Sequence, residues 1–166
     1  MAKTWAVAPV KIYRQTGKQG VKYAEFGEEA SQTYKNGAPL VLDATSAEAE
    51  VWAGTTSTTL LIGFAAKDAT GTTSSAVPYY EANDMNEFVG TLRSAATTVA
   101  FAASHMHGKY SLIEAASGGN WYVDANDTTT TKVEVIGTYP GVAVDDLNAP
   151  VIFKVLTDLQ ANQRLA

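Results

Sequence analysis

The stretch from Gly108 to Leu156, GKYSLIEAASGGNWYVDANDTTTTKVEVIGTYPGVAVDDLNAPVIFKVL, decides the fold class. It contains short runs of β-branched and aromatic residues, separated by clusters of Gly, Asn, Asp and Pro that favour turns. The runs that we predict as strands are Lys109 to Ile113, Trp121 to Asp124, Lys132 to Ile136 and Val151 to Leu156. The same stretch has no metal-ligand cluster, no phosphate-binding loop and no nucleophile with a matching base. It therefore predicts an antiparallel β scaffold and assigns it no chemistry.

The same pattern continues towards the N-terminus. Further strands are predicted at Leu40 to Leu42, Glu48 to Trp52, Leu60 to Ala66, Ala76 to Glu81 and Glu87 to Leu92. Gly63, inside an apolar run, indicates a bulge or a close backbone approach. Ser94 to Ser104 is predicted either as a short helix or as another strand, because its alanines favour a helix and its β-branched residues do not. The fold class predicted is mainly β, a single antiparallel β-barrel or β-sandwich domain.

Length and composition exclude several classes of protein. A chain of 166 residues fits one domain, and at this size folding buries roughly 70% of the surface of the unfolded chain. The absence of cysteine excludes disulfides and thiolate metal sites without fixing the compartment. The N-terminus has only a short apolar patch, interrupted by Pro9, so we expect no signal peptide, no spanning helix and no membrane partner.

Charge is distributed unevenly along the chain. The net charge of −5 argues against a nucleic-acid partner. Five cations precede the first acidic residue, Glu25, which leaves 12 − 5 = 7 basic and 17 acidic side chains, a balance of −10, in the rest. We therefore divide the chain into an extended N-terminal arm, residues 1–22, and a β domain, residues 23–166, which we expect to fold without the arm.

Two interpretations of the N-terminal arm remain open. It is either a solvated, mobile tail or an arm that docks onto a partner. Aromatic and apolar residues lie between its cations and would serve no purpose in a free tail, whereas such residues commonly anchor interfaces. The residues predicted to bind a partner protein or a neighbouring protomer are Trp5, Lys11, Ile12, Tyr13, Arg14 and Lys18.

Two groups of polar residues are candidate metal sites. His105 and His107 would share a face if they lay on a strand, but no third ligand is near in sequence, so ordinary surface histidines are favoured over a metal site. Asp124, Asn126 and Asp127 resemble part of a calcium loop but lack its glycine and its distal glutamate. A turn capped by these side chains is favoured instead. We predict no metal and no cofactor.

Two further pairs of residues are weaker candidates for a functional site. Trp121 and Tyr122, with nearby carboxylates, are a candidate sugar-stacking platform. On a strand, however, the two rings point to opposite faces, so we expect one in the core and one on the surface. Asp145 and Asp146 are interpreted as a polar turn. A catalytic pair of carboxylates cannot be picked out from the sequence, because the separation of such a pair is a property of the fold.

Several segments together resemble the small head decoration, or cement, proteins of tailed bacteriophages. The segments that carry the resemblance are GAPLVLDATSAEAEVWAGTTSTTLLIGFAAKDA at Gly37 to Ala69, NEFVGTL at Asn86 to Leu92, GKYSLI, NWYVD and APVIFKVL. The resemblance covers most of the chain after Gly37 and is one of pattern more than of invariant motif.

The resemblance implies a structural virion protein that is not an enzyme. It is expected to assemble in the host cytoplasm, to bind the outer surface of a phage head and to bridge major capsid subunits. It also implies a homo-oligomer, either a dimer or a trimer. Two rival classes remain: a β-sandwich binding module, for carbohydrate or as part of a tail or fibre, and a small β-barrel enzyme with a site built from distant Asp, His and Tyr residues.

Overall fold

The computed structural model of the chain describes residues 1–15, 22–55, 58–94, 97–115 and 119–161, and of residues 22–25 only the backbone. Twelve strands lie within these ranges. In chain order they are β1 Lys11–Gln15, β2 Lys22–Gly27, β3 Pro39–Leu42, β4 Ala49–Val51, β5 Gly63–Ala65, β6 Ala76–Glu81, β7 Asn86–Ser94, β8 Thr97–Thr98, β9 Lys109–Glu114, β10 Trp121–Asp124, β11 Val133–Thr138 and β12 Pro150–Val155. The helical content described is two 3-10 turns, Ala103–His105 and Thr157–Leu159.

Five strands form a closed barrel. Its order is β7-β10-β9-β11-β12, and β12 returns to pair with β7, with Pro150 opposite Thr91 and Phe153 opposite Phe88. The pairing of β7 with β10 is parallel, whereas the other pairings in this barrel are antiparallel. Strand β1 extends the sheet beside the first half of β7, and β8 pairs with its end. We call this unit the closed barrel.

The other five strands form a second sheet that nearly closes. Its order is β2-β6-β5-β3-β4, with antiparallel pairing throughout. At the open side, Ala49 of β4 forms one isolated parallel bridge with Glu28, which directly follows β2. We call this unit the second barrel.

The two barrels share one hydrophobic core. Phe64 of the second barrel lies 4.6 Å, between ring centroids, from Phe88 of the closed barrel, and 5.8 Å from Phe153. All three rings are fully buried. Burying one such side chain contributes roughly 1.5–3 kcal/mol, so this triple contact joins the barrels by apolar packing.

The mainly β fold predicted from the sequence is confirmed. The predicted strand Trp121 to Asp124 has the same bounds in the structure, and Ala76 to Glu81 likewise. The apolar run Leu60 to Ala66 contributes only three residues to β5. The close backbone approach expected at Gly63 is confirmed, because a Cβ there would lie 2.1 Å from the Tyr80 carbonyl oxygen.

The segment from Ser94 to Ser104 forms neither a continuous helix nor a full strand. Thr97–Thr98 pairs with the end of β7, and a single 3-10 turn begins at Ala103. Residues 95–96 lie outside the described residues. The β-branched threonines therefore prevail over the alanines at the start of this segment, where a strand partner is available.

The extended N-terminal arm is not confirmed. Residues 11–15 form β1, which pairs with β7 of the same chain, and Val10 is fully buried in the core. Deleting residues 1–22 would remove a strand and uncover part of the core. The expectation that the rest folds without them therefore loses its physical basis.

Candidate docking surface

Residues 1–9 run along the outside of the closed barrel and are held there by hydrogen bonds of their backbone. The Trp5 amide donates to the Leu147 carbonyl at 3.0 Å, and the Leu147 amide donates to the Lys3 carbonyl at 2.8 Å. The Ala8 amide donates to the Thr91 hydroxyl at 3.2 Å. These contacts place the N-terminal residues against the barrel wall.

One carboxylate fixes the start of the chain. Asp146 is only 2% exposed, and its Oδ1 accepts the Lys3 amide at 2.7 Å. Its Oδ2 accepts the Trp5 indole N–H at 3.0 Å and the Ala143 amide at 3.0 Å. The indole hydrogen bond, followed by the two amides, holds the pKa of Asp146 below its ordinary value. The sequence interpretation of Asp146 as part of a polar turn missed its role at the start of the chain, because Lys3 and Trp5 lie more than 140 residues away.

Three aromatic rings meet on this side of the barrel. Tyr139 lies edge-on to Trp5, with ring centroids 6.4 Å apart, and edge-on to Tyr13, at 6.0 Å. The Lys3 ammonium stands 3.5 Å from the centre of the Trp5 ring. We call Trp5, Tyr13, Tyr139 and the neighbouring Lys11 the aromatic surface. Edge-to-face pairs of this kind add about 0.5–1.5 kcal/mol each to the burial of the rings.

A groove lies within the aromatic surface. Its volume is about 180 Å³, and its walls include Trp5, Pro9 and Tyr139 on one side and Val89 on β7. Lys11 lines it as well. The groove is therefore mainly apolar, with one cation among the residues that line it.

Exposed large apolar side chains are concentrated around this surface. Among the described residues, the ones that stand out as exposed are Met1, Val7, Tyr13, Met85, Tyr139 and Val144. All but Met85 belong to the N-terminal residues, to β1, or to the segment after β11 that packs against them. Clustering of this kind, unlike single apolar residues scattered over a surface, is typical of an interaction site.

The predicted site residues of β1 divide between two faces. Ile12 is partly buried and packs against the core, and its predicted contact with a partner stays a prediction. Lys11, Tyr13 and Arg14 are exposed. The ladder with β7 shifts register between Ile12 and Arg14, and this irregularity turns two successive side chains outward.

The predicted cations differ in their surroundings. The Arg14 guanidinium forms an ion pair with Glu87 at 2.6 Å, so part of its charge is used within the chain. Lys11 stays at the edge of the groove. Lys18 lies outside the described residues. The structure thus brings Trp5, Lys11 and Tyr13 together and adds Tyr139, which no pattern in the sequence linked to them.

The other polar groups considered from the sequence lie elsewhere. His105 accepts a hydrogen bond from the Ala102 amide at 3.0 Å, and burial lowers its pKa. His107 stands in a turn with φ of 59°, so the two histidines do not share a strand face. Within the described ranges, no group of three or more His, Asp or Glu side chains is placed to hold a metal ion.

The predicted turn at Asp124 to Asp127 is confirmed. Asp124 accepts the Asn126 amide at 3.0 Å, and Asp127 accepts the Thr129 amide at 2.8 Å. The expectation that one of Trp121 and Tyr122 is exposed is wrong, because both rings are buried. Tyr122 is covered by Arg93, whose guanidinium lies 4.9 Å from the ring centre.

Comparisons with known proteins add no identity to this geometry. No family model, curated protein or solved structure matches the chain. In the part of the chain that the structure describes, no helix is long and apolar enough to cross a membrane.

Proposed function

We propose that this protein is a non-enzymatic structural component of a phage virion, which binds the outer surface of the head and bridges major capsid subunits. The family resemblance motivates the class of protein. The observation that carries the proposal is the aromatic surface, where rings and exposed apolar side chains gather around a groove of about 180 Å³.

The chemistry of the aromatic surface favours a protein partner. Tyr and Trp rings supply large contact areas at low entropic cost and are enriched among the residues that dominate interface energies. A groove of this volume accommodates one or two apolar side chains rather than a large ligand. No cofactor is needed for such an interaction.

Charge indicates which surface of the capsid is met. Lys3 and Lys11 lie at the aromatic surface, whereas the chain after residue 22 carries all 17 acidic side chains. We infer that the aromatic surface meets an acidic patch of the major capsid protein. The acidic remainder then faces solvent on the outside of the virion.

The proposal is tested by binding of the purified protein to heads that lack it. Tyr13→Ala and Tyr139→Ala remove exposed rings, and we expect each to weaken binding about tenfold, which corresponds to about 1.4 kcal/mol. Met85→Ala is the matched control, since Met85 is 56% exposed and lines neither the groove nor the aromatic surface. Unchanged binding by both tyrosine variants would reject this surface as the contact, and absence of binding by the unaltered protein would reject the function.

A second copy of the chain is the rival occupant of the aromatic surface. Sedimentation of the same variants separates the two cases. If Tyr139→Ala converts a dimer or trimer to a monomer and leaves head binding unchanged, the aromatic surface joins protomers and the capsid contact lies elsewhere.

Salt dependence separates the charge contribution from that of the rings. Lys11→Glu should slow association and remove part of the salt dependence, because exposed charges mainly steer encounter. The tyrosine variants should instead raise the dissociation rate at every salt concentration.

A further inference from the structure

A second concavity lies where the two barrels meet, away from the aromatic surface. Its volume is about 330 Å³. One wall is the chain from Val51 to Gly54, at the end of β4 in the second barrel, and the other wall is formed by β9 and β10 of the closed barrel. We call it the inter-barrel cleft. Binding sites for small molecules are frequent at such junctions, and this volume is at the lower end of their usual range.

The cleft is lined by hydrogen-bond acceptors. Carboxylates are contributed by Glu114, Asp124 and Asp127, and a hydroxyl by Ser111. Burial opposes ionisation of Asp127, but hydrogen bonds from Thr130 and Thr129 outweigh it and hold the pKa of Asp127 well below its ordinary value. The cleft therefore carries negative charge at neutral pH.

Two tryptophans line the same cleft and supply donors. Trp52 and Trp121 are 2% and 4% exposed, and their ring centroids lie 6.0 Å apart. Neither indole N–H has an acceptor among the described residues. A buried donor without a partner is uncommon in folded proteins, so two of them beside one cavity call for an explanation.

The combination of groups restricts the ligand. A metal ion offers nothing that an indole N–H can bind, and an anion is repelled by the carboxylates. An apolar molecule would leave both kinds of group unsatisfied. A hydroxyl group, in contrast, donates to a carboxylate and accepts from an indole.

From these contacts we propose that the inter-barrel cleft binds a neutral saccharide unit. The sugar hydroxyls donate to the carboxylates of Glu114 and Asp127, and one sugar oxygen accepts an indole hydrogen. The apolar face of the sugar packs against Val51 and Leu112, which also line the cleft. Because both indole nitrogens are buried, binding includes a movement of at least one tryptophan ring that brings its N–H to the sugar.

The three tryptophans of the chain allow a direct test by NMR. The indole N–H signals of the unaltered protein are followed while glucose, galactose, mannose and N-acetylglucosamine are added singly, to about 50 mM, since weak sugar sites have millimolar dissociation constants. We expect saturable shifts of the Trp52 and Trp121 signals with at least one sugar. The Trp5 signal is the internal control, because its N–H is already bound to Asp146.

Variants locate the binding. Glu114→Gln and Trp121→Phe should each raise the dissociation constant at least tenfold, whereas Glu134→Gln, on β11 and outside the cleft, should leave it unchanged. Glu114→Gln preserves an oxygen for the Gly119 amide and keeps the test valid if Trp121→Phe does not fold. The proposal would be overturned if no sugar shifted the signals, or if both cleft variants bound the sugar with the affinity of the unaltered protein. Head binding is measured separately, so neither result depends on the other.

Discussion

The two barrels are closed in different ways. In the closed barrel, β12 pairs with β7 through four residue pairs, from Pro150–Thr91 to Phe153–Phe88. In the second barrel, the only closing contact described between the first and last strands of the sheet is the single bridge between Glu28 and Ala49. A ladder distributes closure over several backbone hydrogen bonds, whereas a single bridge concentrates it at one residue.

Side-chain bonds supplement the bridge in the second barrel. Glu28 is 2% exposed, and its carboxylate accepts the Thr70 amide at 2.9 Å and the Thr70 hydroxyl at 3.2 Å. Its own amide donates to the Ser75 carbonyl at 2.8 Å. One buried carboxylate thus joins the seam to the loop before β6. A barrel without a closing ladder therefore depends on individual polar side chains. We expect the second barrel to be the less stable of the two.

The largest effect is expected from a substitution in the shared core, because it acts on both barrels at once. Phe88→Ala empties the contact with Phe64 and Phe153, and large-to-small changes of this kind cost about 3–5 kcal/mol. Since the core is shared, we expect one cooperative transition at lower denaturant concentration in urea titrations monitored by tryptophan fluorescence and by circular dichroism. Met85→Ala, at an exposed position just before β7, is the control and should change stability little. Two separate transitions would show that the barrels unfold independently.

Gly63→Ala tests the strand that joins the two sides of the second barrel. The added Cβ would meet the Tyr80 carbonyl at 2.1 Å and the Tyr79 ring at 2.8 Å, so β5 and β6 must separate. Such overpacking costs typically 1–3 kcal/mol. Thermal unfolding should show a clear loss of stability. Gly54→Ala is the comparison variant: Gly54 has open space around its Cβ position but a φ of 80°, so any loss there reports backbone strain and not a steric contact. Gly63→Ala with unaltered stability would contradict the close approach.

Glu28→Gln tests whether the seam of the second barrel can be weakened without affecting the closed barrel. The neutral amide can keep only part of the hydrogen bonding to Thr70, and a buried group left partly unpaired costs about 1–3 kcal/mol. We expect faster amide hydrogen exchange in β3 and β6 of the second barrel, with β11 and β12 unchanged. Glu29→Gln, at the next residue and on the less buried side, is the matched control. Equal acceleration in both barrels would mean that the seam is not a local feature.

The sequence predicts the strands better than it predicts how they assemble. Local composition suffices for Trp121–Asp124, because Gly and Asn on one side and Asn and Asp on the other mark the turns. Barrel closure requires β7 and β12 to meet across about sixty residues, and no local pattern encodes that pairing. The division into two barrels therefore stayed outside the reach of sequence analysis.

The candidate site shows the same limit. The aromatic residues near the N-terminus were found because they lie among cations, a local signal. Asp146 and Tyr139, which position and complete the aromatic surface, are distant in sequence and carry no such signal. The sequence analysis also did not recognise β1, so it did not anticipate that Ile12 packs partly against the core.

A buried cation lies between the two barrels. Lys132, just before β11, is fully buried, and its ammonium donates to the Thr59 carbonyl of the second barrel at 2.6 Å. The same ammonium lies 5.0 Å from the centre of the Trp52 ring. Burial lowers the pKa of Lys132 to about 8 from an ordinary value of 10.5. The folded protein therefore releases this proton at a lower pH than the unfolded chain does.

The sign of the resulting pH dependence follows from proton linkage. Between about pH 8 and pH 10.5 the unfolded chain holds a proton that the folded protein has lost, so raising the pH through this window favours the folded state. Below about pH 8 both states are protonated, and the full cost of burying the charge is present. In Lys132→Met the titrating group is gone. We therefore expect the free energy of unfolding of the unaltered protein, measured by urea titration relative to this variant, to rise as the pH increases from 8 to 10. Lys109→Met, at an exposed position on β9, controls for loss of a cation and should show no such trend. A difference between the unaltered protein and Lys132→Met that stays constant across this window would show that the ammonium is not buried between the barrels.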